Sequence, residues 1–240
     1  MRVYACSVLR PLARRAAVEL VGSAALAAIV VGSGIAAANL SEDGGIQLLI
    51  NATATGFGLF VLITVLSPLS GAHLNPVVSL AASALGQRPW RDVLGYVPAQ
   101  VIGCVLGAAL ANAMFALPVV SVSSTERATS AHLLAEVVAT AGLVFAIFAL
   151  VRLDRATLVP AVVAAYIGGA YFFTSSTSFA NPAITIGRMF SDSFAGIAPS
   201  SASWFIGAQL VGGLLGYLAV RLLVPRLNEA VDAPAADLKK

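Results

Sequence analysis

Asn-Pro stands twice at the head of a short apolar segment, as Asn75-Pro76-Val77-Val78-Ser79 and as Asn181-Pro182-Ala183-Ile184-Thr185. Asn is a preferred helix cap, and Pro fits the first helical position, where its missing N–H would have had no partner. Each motif therefore marks a helix start. The segments that follow, residues 75–85 and 181–190, are too short to cross a bilayer, which takes about 20 apolar residues. Around them lie six longer apolar runs, at about 16–38, 46–67, 92–113, 131–151, 157–174 and 201–224.

A second match recurs at nearly the same interval. Ala99-Gln100-Val101-Ile102-Gly103-Cys104-Val105-Leu106-Gly107 parallels Ala208-Gln209-Leu210-Val211-Gly212-Gly213-Leu214-Leu215-Gly216. The chain is thus a duplication, with three spans and one short segment in each half. Three is odd, so the second half enters the membrane upside down relative to the first. The expected fold is an all-α membrane protein, with six transmembrane helices plus two re-entrant half-helices in an inverted repeat.

Composition supports the membrane class. Hydrophobic residues make up 59% of the chain and charged residues 10%, whereas a soluble domain carries about 25% charge. We expect a cytoplasmic arm at 1–15, a membrane domain at 16–224 with repeats at about 16–115 and 131–224, and a polar cytoplasmic tail at 225–240. The first apolar run is longer than a signal-peptide core and is read as a span. Cys6 and Cys104 fall in the arm and in a span, so no disulfide is expected. With both ends cytoplasmic, all of the 14 Lys and Arg residues except Arg127 and Arg188 fall on the inner side, as the positive-inside rule requires. The basic balance then sets topology, in a plasma or bacterial inner membrane, and no nucleic-acid partner is needed to explain it.

Inversion brings the two helix starts together near the midplane. Irregular backbone is tolerated there only where it is buried in protein or lines a water-filled path. Two converging N-termini carry partial positive charge, and the Asn75 and Asn181 amides add donors. Such a centre disfavours cations and passes neutral hydroxylated molecules. Pro76, Val77, Pro182 and Ala183 belong to the same midplane set.

The runs Ser70-Gly71-Ala72-His73-Leu74-Asn75-Pro76 and Ser178-Phe179-Ala180-Asn181-Pro182-Ala183 resemble the two signature loops of the major intrinsic protein (aquaporin) family. Glu19 and Glu136 near the starts of the first and fourth spans, and the two Ala-Gln-x-x-Gly runs, extend the resemblance from Glu19 to about Leu223. It implies a homotetramer with one pore per protomer, bounded by membrane lipid, passing small neutral solutes without a cofactor. Small faces such as Gly103 and Gly107 suit close helix packing.

Two departures stand out. Val77 replaces the family's Ala. Ile184 stands where the family usually has Arg, directly after the second Asn-Pro-Ala, with Arg188 one turn further on. Counting back from each Asn in the family's ungapped pattern places Thr55, Gly169 and Ser178 with Ile184 in the selectivity filter. That set contains no aromatic and no cation, and implies a wide, neutral constriction. It is similar to the bacterial aquaporin subgroup associated with arsenic resistance, which implies arsenite as cargo, with glycerol and water.

Other readings stand beside these. Asn75 and Asn181 are helix caps as well as pore-lining groups. His73 is a pore-wall residue, a pH-sensitive element or a packed loop residue. Glu19 and Glu136 support the re-entrant loops or relay protons. For the whole chain, a general glycerol and water facilitator, a secondary transporter and a non-conducting structural protein are the rivals. An enzyme is disfavoured, because no paired carboxylates, nucleophile–His pair or metal cluster appears in the spans.

Overall fold

The computed structural model describes residues 11–225; Cys6 and nearly all of the expected tail lie outside them. Six long helices are α1 (Leu12–Leu40), α2 (Gly44–Leu66), α4 (Trp90–Met114), α5 (Ser130–Arg152), α6 (Val159–Phe173) and α8 (Pro199–Leu223). All six, with α6 extended by the 3₁₀ turn Ala156–Leu158, are long and apolar enough to cross a membrane. Two short helices, α3 (Pro76–Ala84) and α7 (Pro182–Arg188), occupy the places of the half-helices.

The first helix begins earlier than expected. Residues 12–15 belong to α1 rather than to an arm, and Arg15 is buried. The reason is a partner far along the chain. Arg15 makes a two-point ion pair with Asp92 at the start of α4, so the charge is carried inward with its counter-ion.

The helices pair as the duplication demands. α1 packs on α4, and α5 on α8. A Cβ on Gly103 or Gly107 would strike the backbone carbonyls of Leu20 or Ala24. In the second half, Cβ atoms on Gly212 and Gly216 would lie 2.5 Å from the carbonyls of Val137 and Ala141. Glycine at these four positions lets the backbones approach to where no side chain fits.

Candidate pore and its constriction

Each half-helix is capped by its own asparagine. Asn75 Oδ1 accepts from the Val77 amide at 2.9 Å, and Asn181 Oδ1 accepts from Ala183 and Ile184 at 3.0 and 3.3 Å. The side-chain amides then cross to the other half. Asn75 Nδ2 donates to Ala180 O and Asn181 Nδ2 to Leu74 O, both at 2.8 Å. Capping and joining the halves are therefore done by the same two residues.

The loops that lead to these caps are strained. Ala72, Leu74, Thr177, Ser178 and Ala180 all have left-handed φ angles between 47° and 62°, a conformation that costs a non-glycine residue about 1–2 kcal/mol. Two buried carboxylates hold them. Glu19 Oε1 accepts from Ser70 Oγ and the His73 amide, at 2.6 and 3.0 Å. Its Oε2 accepts from the Leu74 amide and Gln100 Nε2, at 2.7 and 2.8 Å. Glu136 repeats the arrangement on Ser176, Phe179, Ala180 and Gln209 at 2.7–2.9 Å. All four carboxylate oxygens accept from loop or helix donors.

Gln100 and Gln209 were visible only as repeat markers. Gln100 also reaches Ser79 Oγ in α3 at 3.0 Å, and Gln209 reaches Thr185 Oγ1 in α7 at 2.9 Å. A duplicated glutamine inside an apolar span needs buried partners, so the signal for a bracing role was present.

One cavity runs past both caps. Leu26, Val30, Leu59, Ile63, Leu143 and Ile147 give it an apolar wall, and the re-entrant loops around Asn75 and Asn181 give it a polar one. His73 borders the cavity while its Nδ1 meets Ser79 Oγ at 3.0 Å and its ring packs edge-on against Tyr96. Val77 does not reach the cavity; Val78 does. The Val77 side chain instead fills the place that a Cβ on Gly213 would occupy.

The residues that border the cavity differ from the expected filter set at two points. Gly169 is exposed, and a Cβ built on it meets nothing within 4 Å. The cavity-facing line of α6 is Val159, Val163, Ile167 and Tyr171. Two residues turn an α-helix by about 200°, so Gly169 lies nearly opposite Tyr171. Tyr171 rather than Gly169 borders the cavity here, with its hydroxyl 3.1 Å from Thr55 Oγ1. The second correction concerns charge. Arg188 also borders the cavity, buried to 2% exposure, so both an aromatic ring and a cation are present. Thr55, Ser178 and Ile184 line the cavity. Ser178 Oγ is buried with no hydrogen-bond partner among the described residues.

Comparison with known proteins agrees with this architecture. The family model described as Major intrinsic protein matches residues 9–179. Aquaglyceroporin AqpS of Rhizobium meliloti (strain 1021) is 46% identical over 213 residues, covering 89% of this chain and 91% of that protein. Aquaporin NIP6-1 of Arabidopsis thaliana is 36% identical over 113 residues, covering 46% of this chain and 36% of that one. The crystal structure of the aquaglyceroporin from Plasmodium falciparum superposes with a TM-score of 0.74 at 18% identity, over 89% of this chain and 97% of its own. With its paired caps, inverted loops and spanning helices, the chain belongs to the major intrinsic protein family and is a multi-pass membrane channel, not an enzyme.

Proposed function

We propose that the channel passes small uncharged hydroxylated solutes passively, with arsenite and related metalloid acids foremost and glycerol and water beside them. The observation that carries the reading is Ile184. It follows the second Asn-Pro-Ala directly and borders the cavity, so that level of the path has an apolar residue in place of a fixed guanidinium. Hydroxyls of Thr55, Tyr171 and Ser178 line the same cavity and suit a neutral polyhydroxy acid that must exchange hydrogen bonds as it passes. Within the midplane set of Asn75, Pro76, Val77, Asn181, Pro182 and Ala183, the two asparagines serve as the polar centre, with His73 in the wall. The protein works as a homotetramer, one pore per protomer, in a plasma or bacterial inner membrane with both termini cytoplasmic. The distribution of Lys and Arg along the chain supports that orientation.

Reconstitution in liposomes tests this. Vesicle volume is followed by stopped-flow light scattering under inward gradients of arsenite, glycerol and an impermeant sugar, against empty vesicles and an Ile184→Arg variant. Rapid re-swelling with arsenite, slowed by Ile184→Arg, is the expected result. Rapid glycerol uptake without arsenite uptake would instead make the protein a general polyol facilitator.

A further inference from the structure

Arg188 stands one turn beyond Ile184 on α7, about 6 Å further along the helix. Its guanidinium carbon lies 3.3 Å from the centroid of the Phe179 ring, within the range of a cation–π contact. That ring is itself immobilised. The Phe179 amide donates to Glu136, and the ring packs edge-on against Phe205 at 5.1 Å. Nε of Arg188 donates to Ala195 O. A stacked face and one anchored nitrogen leave the guanidinium little freedom to swing away from the cavity.

The anchor depends on a second arginine. The turn at 193–196 is closed by the Gly196 amide on Ser193 O at 2.8 Å. Arg127, from the segment joining the two halves, donates to Gly196 O at 2.7 Å and Phe194 O at 2.9 Å. Ala195 lies between these two acceptors, so Arg127 holds the carbonyl that holds Arg188. Beside them, the buried hydroxyl of Ser178 has no partner among the described residues and lines the same cavity. A polar group so placed needs an acceptor or donor that the passing solute can supply.

We propose that Arg188 supplies the fixed positive charge of the constriction and sets its selectivity, and that Arg127 positions it through the 193–196 turn. The proposal rests on the channel reading. A guanidinium fixed in the wall of the path repels protons and other cations, while neutral solutes hydrogen-bond past it with the help of Ser178. The absence of Arg at position 184 therefore does not leave the path open to protons.

The test measures two fluxes on one preparation of the full-length protein in liposomes. Proton flux is driven by a valinomycin-clamped potassium gradient and read by an internal pH dye; glycerol flux is read by light scattering. Arg188→Met should raise the ratio of proton to glycerol flux by about tenfold or more. Arg127→Met should raise it by a smaller factor, and Arg188→Lys, which keeps charge without the planar stack, should fall between wild type and Arg188→Met. A wild-type ratio in folded Arg188→Met protein overturns the assignment, and a wild-type ratio in Arg127→Met overturns the positioning role. If Arg188→Met fails to fold, Arg188→Lys and Phe179→Leu decide instead, with unchanged ratios in both counting against the proposal. Wild-type vesicles with no solute flux at all would sink the channel reading itself.

Discussion

Val77 and Ala183 hold equivalent places in the two half-helices, and the difference between them is offset on the facing helix. The Val77 side chain occupies the space left by Gly213, and the repeat partner of Gly213 is the larger Cys104. Bulk has moved across the contact, and the extra carbons of Val77 stay out of the cavity. Gly213→Val should overpack this contact and destabilise the protein by about 1–3 kcal/mol. Adding Val77→Ala should recover most of that loss, read as a coupling energy in a double-mutant cycle of thermal unfolding; additive effects would show that the two side chains do not meet. At this scale the sequence was partly legible. Asn75, Asn181, Glu19 and Glu136 were identifiable because each occurs once per repeat in a setting where a polar group demands a partner. Gly169 misled because a count back from Asn181 assumes a fixed loop length, whereas the face a residue presents is set by its helix's rotation. The partner that makes Val77 harmless lies in the last helix, beyond the reach of any local pattern.

Among the elements, the spans and half-helices follow from apolar length and cap chemistry, so they were readable without tertiary information. The N-terminal boundary was not. Arg15 reads as a flanking charge until Asp92 is placed beside it, and the pair holds the start of α1 to the start of α4. There, Arg88 and Tyr96 both donate to Ser70 O, at 2.7 and 2.6 Å. The segment joining the two halves uses a different device. Ser200 and Ser201, in the first turn of α8, donate to Glu126 at 2.6 and 2.5 Å, and these bonds hold its carboxyl below the ordinary carboxylate range. A depressed pKa in the folded state means that the tie is present above the ordinary carboxylate value and is lost as pH falls through the lower, folded one. Amide protection factors in residues 115–129, corrected for the intrinsic pH dependence of exchange, should therefore fall selectively on acidification. Glu126→Gln should show faster exchange already at neutral pH, and equal protection in the variant would remove Glu126 as the anchor.

For the whole molecule, the two halves are joined at their centre by a pair of reciprocal bonds, Asn75 to Ala180 O and Asn181 to Leu74 O. Removing either amide strips a cap and also leaves the other half's carbonyl without its donor. Asn75→Ala and Asn181→Ala should each cost about 1 kcal/mol for the cap, plus about 1–3 kcal/mol for the orphaned carbonyl. Both should depress solute flux. Matched losses in unfolding temperature are expected; a loss confined to one variant would mean that the centre is held from one side only. The duplication and its inversion were legible from the parity of the spans, but this reciprocity was not, because it depends on which backbone carbonyl each loop turns toward the midplane.

That reciprocity has a consequence for how such a chain could arise. Each half carries both the donor and the acceptor that its inverted counterpart needs, so a single half-length ancestor inserted in both orientations could have closed the same centre as an antiparallel homodimer. Fusion would then have contributed a tether and freed the copies to diverge, as the Val77–Gly213 and Ala183–Cys104 positions have done.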